Sequence, residues 1–282
     1  MACSETGVTP AVSYAGYYGY SFEEFVEAAV RACATAVELI PDQGPNLLAE
    51  LTPERRSALR TRLRGAGVTP VVHSVFYDIN LVSVVPDVQE LALRVIARCG
   101  EFARDIGARE VVVHPGYRFP GWRSSEFQRR NADDAARRGV EKLSALADKL
   151  DVDMFLENGS YFVTDREKST TKPLHYGIFL DEIDLLLEFA SSRVGICLDY
   201  GKAKVSQLPV RELIRRHGGR PFRFQVGSGR RLRELLLEQG LKAVLHTPRQ
   251  ITFEGPAEDL AAFMAVAAGA ISSSDVEANR AT

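Results

Sequence analysis

Cysteine is scarce: Cys3, Cys33, Cys99 and Cys197 are the only four in 282 residues, and none stand at C-x-x-C spacing. Three of them fall inside apolar helix or strand patterns, which reads as buried free thiols in a reducing cytoplasm rather than as a disulfide framework. No apolar run reaches the ~20 residues that cross a bilayer. Residues 1–10 lack the basic-then-apolar pattern of a secretory signal, so a cytoplasmic location is expected. There is no excess of positive charge either. The formal net charge is −2, and nothing global points to nucleic acid or to an anionic membrane surface. No G-x-G-x-x-G follows the first strand, which counts against an open, doubly wound nucleotide-binding sheet. No linker, low-complexity tract or repeat interrupts the chain.

What the sequence does have is an alternation of short β-rich runs and longer amphipathic segments. Strands are expected at 11–15, 36–40, 70–75, 110–114, 153–156, 194–198, 222–226 and 250–253. Helices are expected between them, and a last one at 257–268. Ser21 with Glu24 reads as a capping box. Thr52 followed by Pro53 reads as a second helix start. Glu110-Val111-Val112-Val113-His114 shows no polar alternation, as in a parallel strand buried on both faces. Eight β-then-α units in order predict an α/β fold, a single (β/α)₈ TIM barrel over residues 1–271. A small polar tail, residues 272–282, is expected to be disordered. Residues 160–177 form an unusually long connection, either a lid over the mouth or a surface excursion.

In a (β/α)₈ barrel the C-terminal strand ends share one mouth. Polar, ligand-type residues fall at those ends repeatedly. They are His73, His114, Glu157-Asn158, Asp199 with Lys202, Gln225 and Glu254. Three carboxylates converging on one mouth repel each other unless a cation neutralises them. A divalent metal does this. Oxygen-rich donors suit Mg²⁺ or Mn²⁺, and added histidine moves the balance toward Mn²⁺, Co²⁺ or Zn²⁺. Lys202, three residues after Asp199, is the competing neutraliser.

The segments Val72-His73-Ser74-Val75-Phe76-Tyr77-Asp78-Ile79-Asn80-Leu81, Val111-Val112-Val113-His114-Pro115-Gly116, Leu156-Glu157-Asn158 and Val194-Gly195-Ile196-Cys197-Leu198-Asp199-Tyr200-Gly201-Lys202 resemble the xylose isomerase-like barrel superfamily. That group contains sugar and sugar-phosphate isomerases and epimerases, dehydratases and the endonuclease IV enzymes. The resemblance implies a one-metal site in which Glu157, Asp199, Gln225 and Glu254 bind the ion and the two glutamates move a proton. At two places the chain departs from the pattern. Gln225 stands where the family has a strand-seven histidine, and Lys202 stands where a histidine follows the strand-six Asp. An amide oxygen is a feasible but neutral ligand, so a weakened or absent metal is the alternative the resemblance carries. The extra histidines and second aspartate of the endonucleases are missing, and the lack of a basic stripe agrees.

The expected function is a metal-dependent isomerase or epimerase acting on a small sugar or sugar-like α-hydroxy carbonyl compound through an enediolate. A lyase or dehydratase on a related polyol or keto acid uses the same intermediate. The third reading is a metal-free or non-catalytic barrel that binds a small molecule or a partner. Glu157 and Glu254 are the expected proton-transfer pair, with Lys202, His73 and His114 also at the chemistry. His73, His114, Asn158, Lys202, Trp122 and Arg230 are the expected substrate contacts. The expected partner is a small-molecule substrate, with no nucleic acid and no membrane. Related barrels often associate, which makes a homo-oligomer an option.

Overall fold

The computed structural model describes residues 8–42, 44–118, 125–160, 162–163, 171–172, 175–238 and 249–267. Eight strands make one closed parallel barrel: β1 Val8–Ser13, β2 Ala36–Leu39, β3 Thr69–His73, β4 Glu110–Val113, β5 Asp153–Glu157, β6 Val194–Asp199, β7 Phe222–Val226 and β8 Arg249–Phe253. Each pairs with its neighbour in sequence, and β1 pairs with β8 to close the ring, Ala11 opposite Thr252. This is the (β/α)₈ barrel that the alternation predicts.

The helices are α1 Phe22–Arg31, α2 Pro53–Ala66, α3 Pro86–Ile106, α4 Glu126–Leu150, α5 Leu180–Glu188, α6 Tyr200–Ser206, α7 Val210–His217, α8 Gly229–Glu238 and α9 Leu260–Ala267. The capping box forms: Ser21 N–H donates to Glu24 Oε2 at 2.7 Å, and Glu24 N–H donates to Ser21 Oγ at 3.2 Å. Thr52 caps α2 with Pro53 at its first position. Both α2 and α3 end on glycines in the left-handed region, Gly67 at φ 66° and Gly107 at φ 85°, where a side chain would be strained. None of the helices described is long and apolar enough to cross a membrane.

Alternation along each strand divides the core in two. Outward-facing residues such as Val37, Val72, Val113 and Leu198 join the helix-facing core with Phe22, Phe25 and Phe102. Inward-facing Val71, Val112, Phe155 and Cys197 form a separate plug inside the barrel. Arg223 enters this interior beneath the mouth. It pairs with Glu110, donates to Thr252 Oγ1 at 3.1 Å and lies 5.6 Å over the Phe155 ring. Gly195, inside the fully buried β6, leaves no room for a β-carbon, which would drive into the Pro221 carbonyl. Gly195→Ala is expected to destabilise the barrel by roughly 1–3 kcal/mol, as overpacking of a dense interior does, read from a denaturant midpoint. An unchanged midpoint would show that the β6–β7 edge yields freely.

Three details differ from the sequence expectation. First, β3 ends at His73, whereas β5 and β6 run on to Glu157 and Asp199, so all three ligand-type residues close their strands. Second, α6 was not expected. Asp199 caps it, accepting from the Lys202 N–H at 2.9 Å, and the short helix places Lys202 in its first turn. Third, Cys33 is exposed, at φ 62°, in the turn after α1. The helix α1 ends at Arg31, with Ala32 as its C-cap, so Cys33 falls in the turn beyond it. Cys99 and Cys197 are buried free thiols, as expected. Cys3 and the tail at 272–282 lie outside the described residues.

Within residues 160–177, Phe162–Val163 pairs antiparallel with Thr171–Lys172. The far base of this connection is fastened to the loop after β4. Tyr176 N–H donates to Gly116 O at 2.9 Å, and the buried Arg118 guanidinium pairs with Glu182. Glu182 also accepts N–H groups from Gly177, Ile178 and Phe179 at 3.1–3.3 Å.

Candidate active site

Glu157 is the centre of the mouth. Its side chain is 1% exposed and meets three partners. His114 Nε2 lies 2.6 Å and His73 Nε2 3.1 Å from Oε2, and the Lys202 ammonium bonds Oε1. Lys202 Nζ is also 3.5 Å from Asp199 Oδ2. Among the expected residues, the structure thus brings His73, His114, Glu157, Asp199 and Lys202 into one group.

The two histidines are in different states. His73 Nδ1 faces the Ser74 carbonyl at 2.9 Å, so that nitrogen carries a proton. A second proton on Nε2 completes the bond to Glu157. Burial opposes the charge, but the Glu157 carboxylate raises the His73 pKa over that opposition. His114 is pushed down to about 4, chiefly by burial, with Lys202 adding to the effect, so it is neutral near pH 7 and donates one N–H. Its ring stacks on Phe76 at 4.7 Å between centroids.

The acids also separate. Burial alone would raise Glu157, but His114 and Lys202 hold it well below the ordinary carboxylate range. Glu254, just after β8, goes the other way. Burial of its carboxyl and the charges of Glu38, Glu157 and Asp199 push it well above that range. Asp199 is raised by burial against the pull of Lys202. Lys202 itself is raised, because Glu157, Asp199 and Glu254 hold its proton against the cost of burial. Two carboxyls whose acidities are pushed in opposite directions are what general acid–base chemistry uses.

The remaining expected residues stand as follows. Gln225 is fully buried on β7, and its amide N–H₂ donates to both oxygens of Glu38 at 3.2 and 3.3 Å, leaving Oε1 with no hydrogen-bond partner. Asn158 fastens β5 to β6, accepting from Asp199 N–H at 2.7 Å and donating to Asp199 O at 3.2 Å. Arg230 is exposed on α8, 3.8 Å from Glu234. Trp122 lies outside the described residues.

Two acids at the mouth escaped the sequence reading. Glu38 is fully buried on β2. Its signal was available, since Ala-Val-Glu-Leu places one charge in the middle of an otherwise apolar parallel strand. Asp42, in the loop after β2, has neither carboxylate oxygen hydrogen-bonded, and burial raises it to about 6. Nothing in its loop sequence sets it apart. The folded state prefers Asp42 protonated, so stability falls as pH rises from about 4 through about 6. Asp42→Asn is expected to raise stability at pH 7.5 by about 1–2 kcal/mol and to leave it little changed at pH 4.5. Paired thermal melts check this, and equal gains at both values would show that charge is not the cause.

Whether a divalent ion fits here depends on which donors are free. His73, His114 and Glu157 present donor atoms all within 4.8 Å of one another, a grouping that can hold a metal ion. Asp199 and Glu254 join no such group of three among the described residues. Asp199 Oδ1 is used by the α6 cap, and its Oδ2 faces the Lys202 ammonium. Glu157 Oε1 carries that same ammonium. An ion shared by Glu157 and Asp199 would lie beside a full positive charge. Two unit charges 4 Å apart repel by about 4 kcal/mol at an effective dielectric of about 20, and a divalent ion doubles that. The four-ligand set of Glu157, Asp199, Gln225 and Glu254 therefore does not fit a divalent ion while Lys202 keeps this place.

Residues 26–214 match the xylose isomerase-like TIM barrel family, and the chain belongs to that family. No match is found among curated protein sequences. Among solved structures, a D-tagatose 3-epimerase-like protein is similar at TM-score 0.71 and 18% identity, over 96% of this chain and 99% of that one. A 3-keto-D-glucoside 4-epimerase from E. coli is similar at TM-score 0.69 and 12% identity, over 92% and 98%. The IOLI protein with a bound zinc atom is similar at TM-score 0.67 and 12% identity, over 96% and 98%. At these identities the likeness is one of fold.

Proposed function

We propose that this chain is an isomerase or epimerase of small sugars or sugar-like α-hydroxy carbonyl compounds, moving a proton between Glu157 and Glu254 through an enediolate. The observation that carries the reading is the setting of Glu157, a buried carboxylate at the barrel mouth held by two imidazoles and an ammonium. Glu254 sits at the end of β8, three strands round the same mouth. The separated acidities of the two carboxyls support it, and so does the likeness in fold to sugar epimerases.

The step balances without an outside reactant. The ionised Glu157 takes the proton from the hydroxyl-bearing carbon beside the carbonyl. The C–H electron pair becomes the C=C bond, and the carbonyl π pair moves onto oxygen. The Lys202 ammonium stabilises that oxygen's charge as it develops, while the single N–H of His114 stays on Glu157. Glu254 then gives its proton to the opposite face of the same carbon, and the enolate pair returns to restore the C=O, which inverts that carbon. Isomerisation instead protonates the former carbonyl carbon, with the hydroxyl proton passing from the neighbouring oxygen to the former carbonyl oxygen so that the C=O forms at the neighbour. Glu157 ends protonated and Glu254 ionised, ready for the reverse reaction or for reset by solvent. His73 is fixed by the Ser74 carbonyl and acts by holding Glu157. Arg230 is exposed and faces Glu234, which favours a neutral sugar over a phosphorylated one.

The test is product analysis on a panel of ketohexoses, ketopentoses and their aldose isomers, by chromatography that separates epimers. Interconversion of at least one pair is expected. A folded protein that converts no member of the panel would sink the reading.

A further inference from the structure

We propose that the Lys202 ammonium is the resident cation of this site, taking the place a shared divalent ion would need between Glu157 and Asp199, so that the protein binds no metal there. Three observations converge. Lys202 Nζ bonds Glu157 Oε1 and lies 3.5 Å from Asp199 Oδ2, so one cation spans the two carboxylates, as a shared metal would. Its placement is built into the backbone. The Lys202 N–H donates to Asp199 Oδ1 at 2.9 Å, and this cap starts α6 and fixes the lysine in its first turn. The neighbouring imidazoles are committed to Glu157, and the Gln225 oxygen, though without a partner, is neutral. Both imidazoles take Glu157 Oε2, and Gln225 turns its N–H₂ onto Glu38.

The sequence departures then make one consistent change. A lysine supplies the positive charge from the chain itself, and the neutral Gln225 holds Glu38 at the wall of the mouth. Lys202 is 26% exposed, so its ammonium can reach a substrate oxygen while staying on Glu157. Its catalytic part rests on the proton-transfer reading; its binding part does not.

The experiment is calorimetric titration of the full chain, freed of metal by chelator, with Mn²⁺, Co²⁺ and Zn²⁺ separately. No one-to-one binding that depends on Asp199 is expected for the wild type, with Asp199→Asn as the comparison, and removal of metal is expected to leave its activity unchanged. Lys202→Ala and the milder Lys202→Gln vacate the position. At least one folded variant is expected to bind Mn²⁺ or Co²⁺ one-to-one, at least 100-fold more tightly than the wild type. One equivalent of any of the three ions on the wild type, at micromolar affinity and weakened by Asp199→Asn, overturns the proposal. So do folded variants that gain no affinity, because Lys202 is then not what keeps metal out. Loss of all sugar conversion with this binding pattern intact would strike the proton-transfer reading and leave the resident cation standing.

Discussion

Glu157→Gln is expected to lower turnover by about 10³-fold, within the range that a positioned acid or base contributes, and Glu254→Gln by a similar factor. The two variants should differ in stability, which separates their roles. Glu157 is the common acceptor of His73, His114 and Lys202. An amide there turns an N–H₂ toward one of those donors, so a folding penalty of several kcal/mol is expected, as when one partner of a buried pair is removed. Glu254 has Glu38, Glu157 and Asp199 as like-charged neighbours, which with burial raise its carboxyl well above the ordinary range. Its amide removes an unfavourable carboxyl, so Glu254→Gln should melt at or above the wild-type temperature while losing turnover. If Glu254→Gln keeps wild-type turnover, the second carboxyl has no part in the chemistry.

Lys202→Ala is the second large effect. It leaves Glu157 ionised in a buried place with only imidazole partners. Breaking a buried ion pair on one side costs about 3–5 kcal/mol, and the partial exposure of Lys202 puts the expected loss near the lower end. The double variant Lys202→Ala/Glu157→Gln removes the stranded charge and should recover most of that loss, which a double-mutant cycle measures. Additive losses would mean that the two side chains are not coupled. Lys202→Arg should not substitute cleanly, since a longer, planar guanidinium spreads its charge and fixes its donors in a fork, where the ammonium is a compact point charge.

How much of this was legible beforehand follows from what each feature depends on. The barrel was legible because period and punctuation are local. Val111-Val112-Val113, Ser21 with Glu24, and Pro53 after Thr52 each announce themselves within a few residues. The ring of polar strand ends was legible because topology alone brings strand termini together. The pairing inside that ring was not. That Glu157 would be met by Lys202 depends on α6, a helix of seven residues that starts on Asp199, and its apolar pattern is too short to read. Gln225 was weighed as a metal ligand, but its partner is a carboxylate on β2, 187 positions away. Glu38 was visible as a charge inside an apolar strand, yet only the closed barrel sets it opposite Gln225. Asp42 was invisible, because its lack of partners belongs to the fold and not to its neighbours in sequence.

The central claim is that two carboxyls on opposite sides of one mouth act as base and acid on a single carbon. Isotope incorporation during turnover of a converted sugar in D₂O tests it most directly, followed by ¹H NMR at the carbon beside the carbonyl. A two-residue shuttle between an ionised Glu157 and a solvent-exchanged Glu254 predicts deuterium in the product from the first turnovers, with little in the remaining substrate. Product formed with its original hydrogen at that carbon would contradict the account, because the proton would then never have passed to a second, exchanged group.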